Sequence, residues 1–271
     1  LKVQYFGDKH DFRKYALLRK LAGEGGFKIG VCWMLTPDDG HADGGMRAYL
    51  DEGQTSRWRH FDSELYDLLA PVSKGSLSNA GLGSPTYEHF VSIEGSGLIK
   101  GAKYVNACLT YPPHQELITD AQLQGLAADT RIRRYFHEAT GWFSNGESQP
   151  ELIFFDPDNG LEVPTYPITR AKSYKYLYLQ EAKKFFSAGQ SLIIYQHFRF
   201  ISRDVFVPRI KCELSAFLGG CTVEAFETPN VLFLVAIQPE HEARVQQVLD
   251  FVGRDWPRQK NFVWLPERPA T

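Results

Sequence analysis

Leu152-Ile153-Phe154-Phe155-Asp156-Pro157-Asp158-Asn159-Gly160-Leu161-Glu162 decides the reading of this chain. Four apolar residues run straight into an acidic, turn-forming cluster. A short apolar run bounded by turn residues reads as a strand buried on both faces of a parallel sheet. Such a strand delivers its next residue, here Asp156, to the carboxyl edge of the sheet, where open α/β sheets bind their ligands.

On either side of this stretch, strand-like and helix-like segments alternate. Asp11 can cap a helix over 12–22, which Gly23, Gly25 and Gly26 would stop. Strands are expected at 28–35, 102–109 and 191–196. Helices are expected at 61–69, in the polar segment 119–141, at 175–186, at 208–218 with Pro208 in the first turn, and at 239–252. Residues 222–226 and 231–237 form a hairpin over Thr228-Pro229-Asn230, and 261–265 adds a last strand. The alternation predicts one α/β domain over 1–271, with a mostly parallel, Rossmann-like sheet and a C-terminal antiparallel hairpin. The region 45–117 breaks the alternation and is expected to be an inserted helical or loop subdomain, or a lid.

The composition sets limits. With 271 residues, 43% of them hydrophobic, the chain can bury a full core. A formal net charge of −2 argues against a basic coat for nucleic acid but leaves room for a local basic groove. The four cysteines, Cys32, Cys108, Cys212 and Cys221, show no zinc-knuckle or redox spacing. Cys32, Cys108 and Cys221 lie in or beside strand-like runs and are read as small buried hydrophobes. With no membrane-length apolar run and no signal-peptide-like start, a soluble cytoplasmic protein is expected.

Three chemistries compete for the acidic cluster. A haloacid-dehalogenase-like phosphatase would use Asp156 as nucleophile and Asp158 as acid and base, but no downstream magnesium motif follows. A magnesium-dependent phosphodiesterase or nuclease would hold metal with Asp156, Asp158 and Glu162, helped by His197. The plainer alternative is that Asp158-Asn159-Gly160 is only a turn. An amino-group methyltransferase carries an acidic or amide residue, two prolines and an aromatic at this place. Asp156-Pro157 matches its first half, and Asp158 and Asn159 replace the proline and the aromatic.

The order of landmarks resembles the J-type ribosomal RNA adenine methyltransferases, a class I, S-adenosylmethionine-dependent family. His10-Asp11-Phe12-Arg13-Lys14-Tyr15 is similar to the family's entry into its first helix. The run from Leu152 to Asn159 stands in the place of its acidic motif. Ile194-Tyr195-Gln196-His197 resembles its next strand end, and Phe262-Val263-Trp264-Leu265-Pro266-Glu267 its ending. The chain looks like a divergent bacterial relative with the pattern DPDNGLE. The resemblance implies a class I methyltransferase-type sheet, with Lys14 contacting the methionine carboxylate of the cofactor. It implies that Asp156, with Pro157, Asp158, Asn159 and His197 around it, orients an acceptor amine on RNA, DNA or a small molecule. The family's glycine loop is altered here. Asp38, Asp39, Gly40 and Gly44 stand in 36–45 with acids that would hold ribose hydroxyls.

Other residues carry two readings each. In Gly7-Asp8-Lys9-His10-Asp11, helix capping explains Asp11 but not Asp8 or His10, so both are assigned to the cofactor side of the site. His197 is either a solvated loop histidine or part of a polar mouth with Tyr195, Gln196 and Arg199. His41 and Asp43 are a weak metal signal. Lys172, Tyr174, Lys175 and Tyr176 suit phosphate contact and stacking, or simply start a helix. Arg131, Arg133 and Arg134 read as a solvated face, or as the best basic patch the chain offers. A third functional class also remains, a non-catalytic binding protein on a degenerate methyltransferase fold.

Overall fold

The computed structural model describes residues 6–36, 46–73, 93–109, 117–118, 132–145 and 148–256. Its centre is a six-stranded sheet. In chain order the ten strands of the described residues are β1 (Ile29–Cys32), β2 (Lys103–Val105), β3 (Leu117–Ile118), β4 (Ile132–Arg133), β5 (Leu152–Phe155), β6 (Gly160–Leu161), β7 (Tyr176–Leu177), β8 (Ser191–His197), β9 (Thr222–Glu227) and β10 (Val231–Ile237). The helices are α1 (Lys9–Gly23), α2 (Thr55–Trp58), α3 (Ser63–Ser73), α4 (Arg134–Ser144), α5 (Leu179–Phe186), α6 (Arg203–Phe217) and α7 (Glu242–Asp255).

The sheet order is β2-β1-β5-β8-β10-β9. β1, β2, β5 and β8 pair in parallel, and β10 runs antiparallel to both β8 and β9. This is an α/β sheet, mostly parallel and compatible with a Rossmann-like arrangement, with the C-terminal hairpin at one edge. The second strand of the hairpin, not the first, lies against β8. The crossover through α6 therefore skips one strand position, and β10 fills it.

Both faces of the sheet are buried because successive strand residues alternate between two apolar layers. Val31, Trp33, Phe154, Ile193 and Val235 pack with α1, α3 and α7. Cys32, Ile153, Phe155, Ile194 and Leu234 pack with α4, α5 and α6. β2 belongs to this sheet, and α3 packs on α1, so both described parts of 45–117 attach directly to the α/β body. Among the described residues no helix is long and apolar enough to cross a membrane.

Several local expectations are corrected. α1 begins at Lys9, with Asp8 as its cap, because Asp8 rather than Asp11 accepts the free amides of His10 and Asp11. Pro208 lies inside α6 and not in its first turn, since the helix already starts at Arg203, five residues earlier. The expected helix over 175–186 starts only at Leu179, because Tyr176 and Leu177 pair with Gly160 and Leu161 as β7 against β6. Cys32 is buried, but Cys108 is exposed and Cys221 half-buried. The expected strand at 261–265, the ending at 262–267 and Arg131 lie outside the described residues.

Arg133 is not on a solvated face. It is buried, and its guanidinium donates to Glu181 Oε1 at 2.7 Å and Oε2 at 2.6 Å and to the carbonyl of Tyr176 at 2.7 Å. Glu181 in turn accepts the amides of Arg133 and Tyr178. This pair ties β4 to the start of α5, and removing either partner would leave the other's charge buried without its counter-ion. Arg133→Ala is expected to lower the unfolding free energy by roughly 3–5 kcal/mol in urea, and Arg133→Met combined with Glu181→Leu to recover most of it. A single-variant loss under about 1 kcal/mol, the size of a surface pair, would refute the assignment.

Candidate active site

The chain leaves β1 toward β2 on one side and returns to β5 on the other. The carboxyl ends of β1 and β5 are therefore adjacent at the point where the strand order reverses, which is where such sheets open a ligand crevice. Cys32 pairs with Phe155, and the amide of Asp156 donates to the carbonyl of Cys32 at 3.2 Å. Asp156 is thus placed at this point of the carboxyl edge, and it is buried. Met34, two residues past β1, has a φ of 49°. A non-glycine residue is strained there, and such strain gathers at functional sites.

α1 precedes β1 and runs back along the sheet, so its first turn lies over the carboxyl edge. Gly7 makes a sharp turn at φ 74°, and its amide donates to Asp11 Oδ2 at 3.0 Å. Asp8 Oδ1 accepts the amides of His10 at 2.7 Å and Asp11 at 2.9 Å. One turn on, Lys14 reaches down from the helix. Its Nζ donates to Asp11 Oδ1 at 2.8 Å and to Asp156 Oδ2 at 2.5 Å. The same ammonium lies 5.3 Å from the centre of the Tyr195 ring. All of these side chains are buried.

The acidic loop is held from behind. Thr36 Oγ1 donates to Asp158 Oδ2 at 3.0 Å, and Lys175 Nζ lies 3.8 Å from the same oxygen. Gly160, at φ 90°, places its hydrogen where a Cβ would come within 2.4 Å of Gln196 Oε1, and that same oxygen accepts the amide of Leu161 at 2.8 Å. Only glycine fits there. Pro157 is buried and Asn159 exposed, with its backbone amide donating to the carbonyl of Lys175. Tyr176 leans on Tyr166 at 5.4 Å between ring centres.

Of the residues singled out in the sequence, Asp8, His10, Lys14, Asp156, Asp158 and His197 gather at this edge. His197 ends β8 beside Tyr195, with ring centres 5.1 Å apart. Lys14 has two internal carboxylates as partners rather than an open face. Glu162 is turned away, and its Oε1 accepts the amide of Leu179 at the start of α5 at 2.7 Å. The triad Asp156, Asp158 and Glu162 is therefore split between two tasks. Among the described residues no group of three His, Cys, Asp or Glu stands close enough to hold a metal. Asp38, Asp39, Gly40 and Gly44, like His41 and Asp43, lie outside the described residues.

Glu94 was not singled out in the sequence. Its carboxylate accepts from Trp33 Nε1 at 2.9 Å and from Asn106 Nδ2 at 3.3 Å. Trp33 and Asn106 follow β1 and β2, so this acid stands at the carboxyl edge on the other side of the switch point. Trp33 stacks on Tyr104, with 5.9 Å between ring centres and 17° between planes. The only signal in the sequence is an acid close before a strand, and that is far too common to be diagnostic.

Burial, reinforced by Asp11, raises Asp8 to about 7, and burial followed by Arg13 lowers His10 to about 3. Burial opposes the charge on Lys14, but Asp11 and Asp156 outweigh it and its pKa is raised. His10 is therefore neutral near neutral pH, and its buried Nδ1 has no hydrogen-bond partner. Among the described residues, the buried carboxylates of Asp8, Asp11 and Asp156 lie near the buried cations Lys14 and Arg13.

In comparisons with known proteins, the chain matches no family model, no curated protein and no solved structure.

Asp8 supports a test by pH. Because its folded pKa is raised, the stability it contributes is full below its ordinary value of 3.8 and is lost as pH rises through about 7. His10 has the opposite sign, and its contribution is lost as pH falls from 6.5 toward 3. Asp8→Asn retains the cap and is expected to remove the alkaline-going loss while leaving the acid-going one. Urea unfolding across that window measures it, and superimposable profiles for the variant and the parent protein would contradict the shift.

Proposed function

We propose that this protein is an S-adenosylmethionine-dependent methyltransferase that acts on an amine. The observation that carries the reading is Asp156. A buried carboxylate at the switch point of the carboxyl edge already accepts a hydrogen bond from an ammonium group, which is the task an amine-orienting residue performs. The mostly parallel sheet with its C-terminal antiparallel hairpin suits the class I methyltransferase type.

The residues present fit the cofactor. Glu94 and Asn106 would hold ribose hydroxyls at the ends of β1 and β2. The free Nδ1 of His10 offers one more polar contact in a buried place. When bound, the cofactor supplies a methyl group on a positively charged sulfur. The carboxylates of Asp11 and Asp156 favour that positive charge, and a neutral His10 adds nothing against it.

Asp156 accepts a hydrogen bond from the acceptor amine and aims its lone pair along one line, so positioning supplies most of the acceleration. An acceptor bound as an ammonium ion has no lone pair, so one N–H proton must first pass to a carboxylate, and burial, which raises the pKa of Asp156, suits that group to take it. Tyr195 and Trp33, both buried, keep water from this carboxylate.

Calorimetry tests the reading. The protein is expected to bind S-adenosylmethionine, and Glu94→Ala to weaken binding by about tenfold or more, on the order of 1.4 kcal/mol. A folded protein that gives no heat with the cofactor at high concentration would refute it.

A further inference from the structure

The amine held by Asp156 in this structure belongs to the protein itself. Lys14 Nζ has three hydrogens to donate. Two go to Asp11 Oδ1 at 2.8 Å and Asp156 Oδ2 at 2.5 Å. The third has no hydrogen-bond acceptor among the described residues and is left to the rings of Tyr195 and Tyr15, whose centres lie 5.3 and 5.8 Å from Nζ. Paired carboxylates beside aromatic faces at this range are what an alkylammonium ion or its methylated form needs. A secondary methylammonium would keep both carboxylate bonds and lay its methyl group on a ring.

The surroundings point the same way. His10 stands four residues before Lys14, on the same face of α1, and its buried Nδ1 has no partner. Among the described residues a flat nucleobase finds no open platform here. Asn159 is exposed where an aromatic would be needed. The Tyr195 ring is engaged by Lys14, by His197 and by Phe233 at 5.6 Å.

We propose that Asp11, Asp156 and Tyr195 form an alkylammonium site, that Lys14 is its internal occupant, and that the acceptor is an alkyl amine whose ammonium displaces Lys14. This deepens the methyltransferase reading by naming its acceptor class. It also implies a built-in competition, since an outside amine binds only to the fraction of molecules in which Lys14 has left.

The test uses the full chain without cofactor. Lys14→Ala opens room for a four-carbon chain and is titrated with n-butylammonium chloride. Lys14→Met fills the stem but removes the charge, and it is titrated with methylammonium chloride. Potassium chloride at equal ionic strength and adenosine are the controls. Thermal shift and calorimetry are expected to show saturable binding to both variants, about tenfold or more tighter than to the parent protein. In the parent protein, butylammonium is expected to bind weakly and to shift the Lys14 Nζ resonance. Adding Asp156→Asn should abolish binding in each background. If neither variant binds an alkylammonium, the site is wrongly assigned. If the variants bind and the parent protein does not, Lys14 is only a structural ion pair, and the proposal falls. Neither outcome touches cofactor binding, so the methyltransferase reading stands or falls separately.

Discussion

One ammonium group holds the functional edge of this protein together. Lys14 joins the first helix to the end of β5, across 142 positions of sequence. Taking its charge out of water costs several kcal/mol, and Asp11 and Asp156 repay that only because both approach closely. The contact therefore adds less to stability than to definition. A purely apolar seam between α1 and the sheet would tolerate sliding by a helical turn. A buried cation that must meet two buried carboxylates does not. Asp8, which caps the helix, and Gly7, which turns the chain ahead of it, then have fixed places above the crevice.

The same arrangement leaves Asp8 outside the ion pair. Lys14 bonds to Asp11 and Asp156 but not to Asp8. Burial then favours a proton on Asp8 near neutral pH. A core selected for stability alone would have no reason to keep such buried ionic groups, because replacing them by apolar ones is often neutral or favourable.

The sheet was legible in the sequence where the physics is local. The apolar run before Asp156, the run at β8 and the hairpin over 228–230 each announce themselves within a few residues. Legibility failed where the deciding partner is distant. Asp8 and Asp11 are equally good caps by local pattern. The choice falls to Asp8 because Asp11 is drawn to Gly7 and Lys14. Arg133 has the look of a surface arginine until Glu181, 48 positions on, is brought against it. Glu94 gains its place from Trp33, 61 positions before it. The acid at Asp156 was readable because a strand delivers it. Its engagement with Lys14 was not, since nothing local joins them.

The position of β10 has a consequence for how the chain is made. Among the described residues β10 is the last strand of the sheet in sequence, yet it lies between β8 and β9 and bonds to both. During synthesis from the amino end, β8 emerges with one hydrogen-bonding edge open, and no earlier strand can close it. β9, made next, has no neighbour in the sheet at all. Until residues 231–237 leave the ribosome, the growing chain presents an apolar strand with unsatisfied backbone groups, the kind of edge that invites pairing with other chains. Folding of this domain is thus gated by its own translation, and a pause or truncation just before β10 would leave a nearly complete but adhesive intermediate.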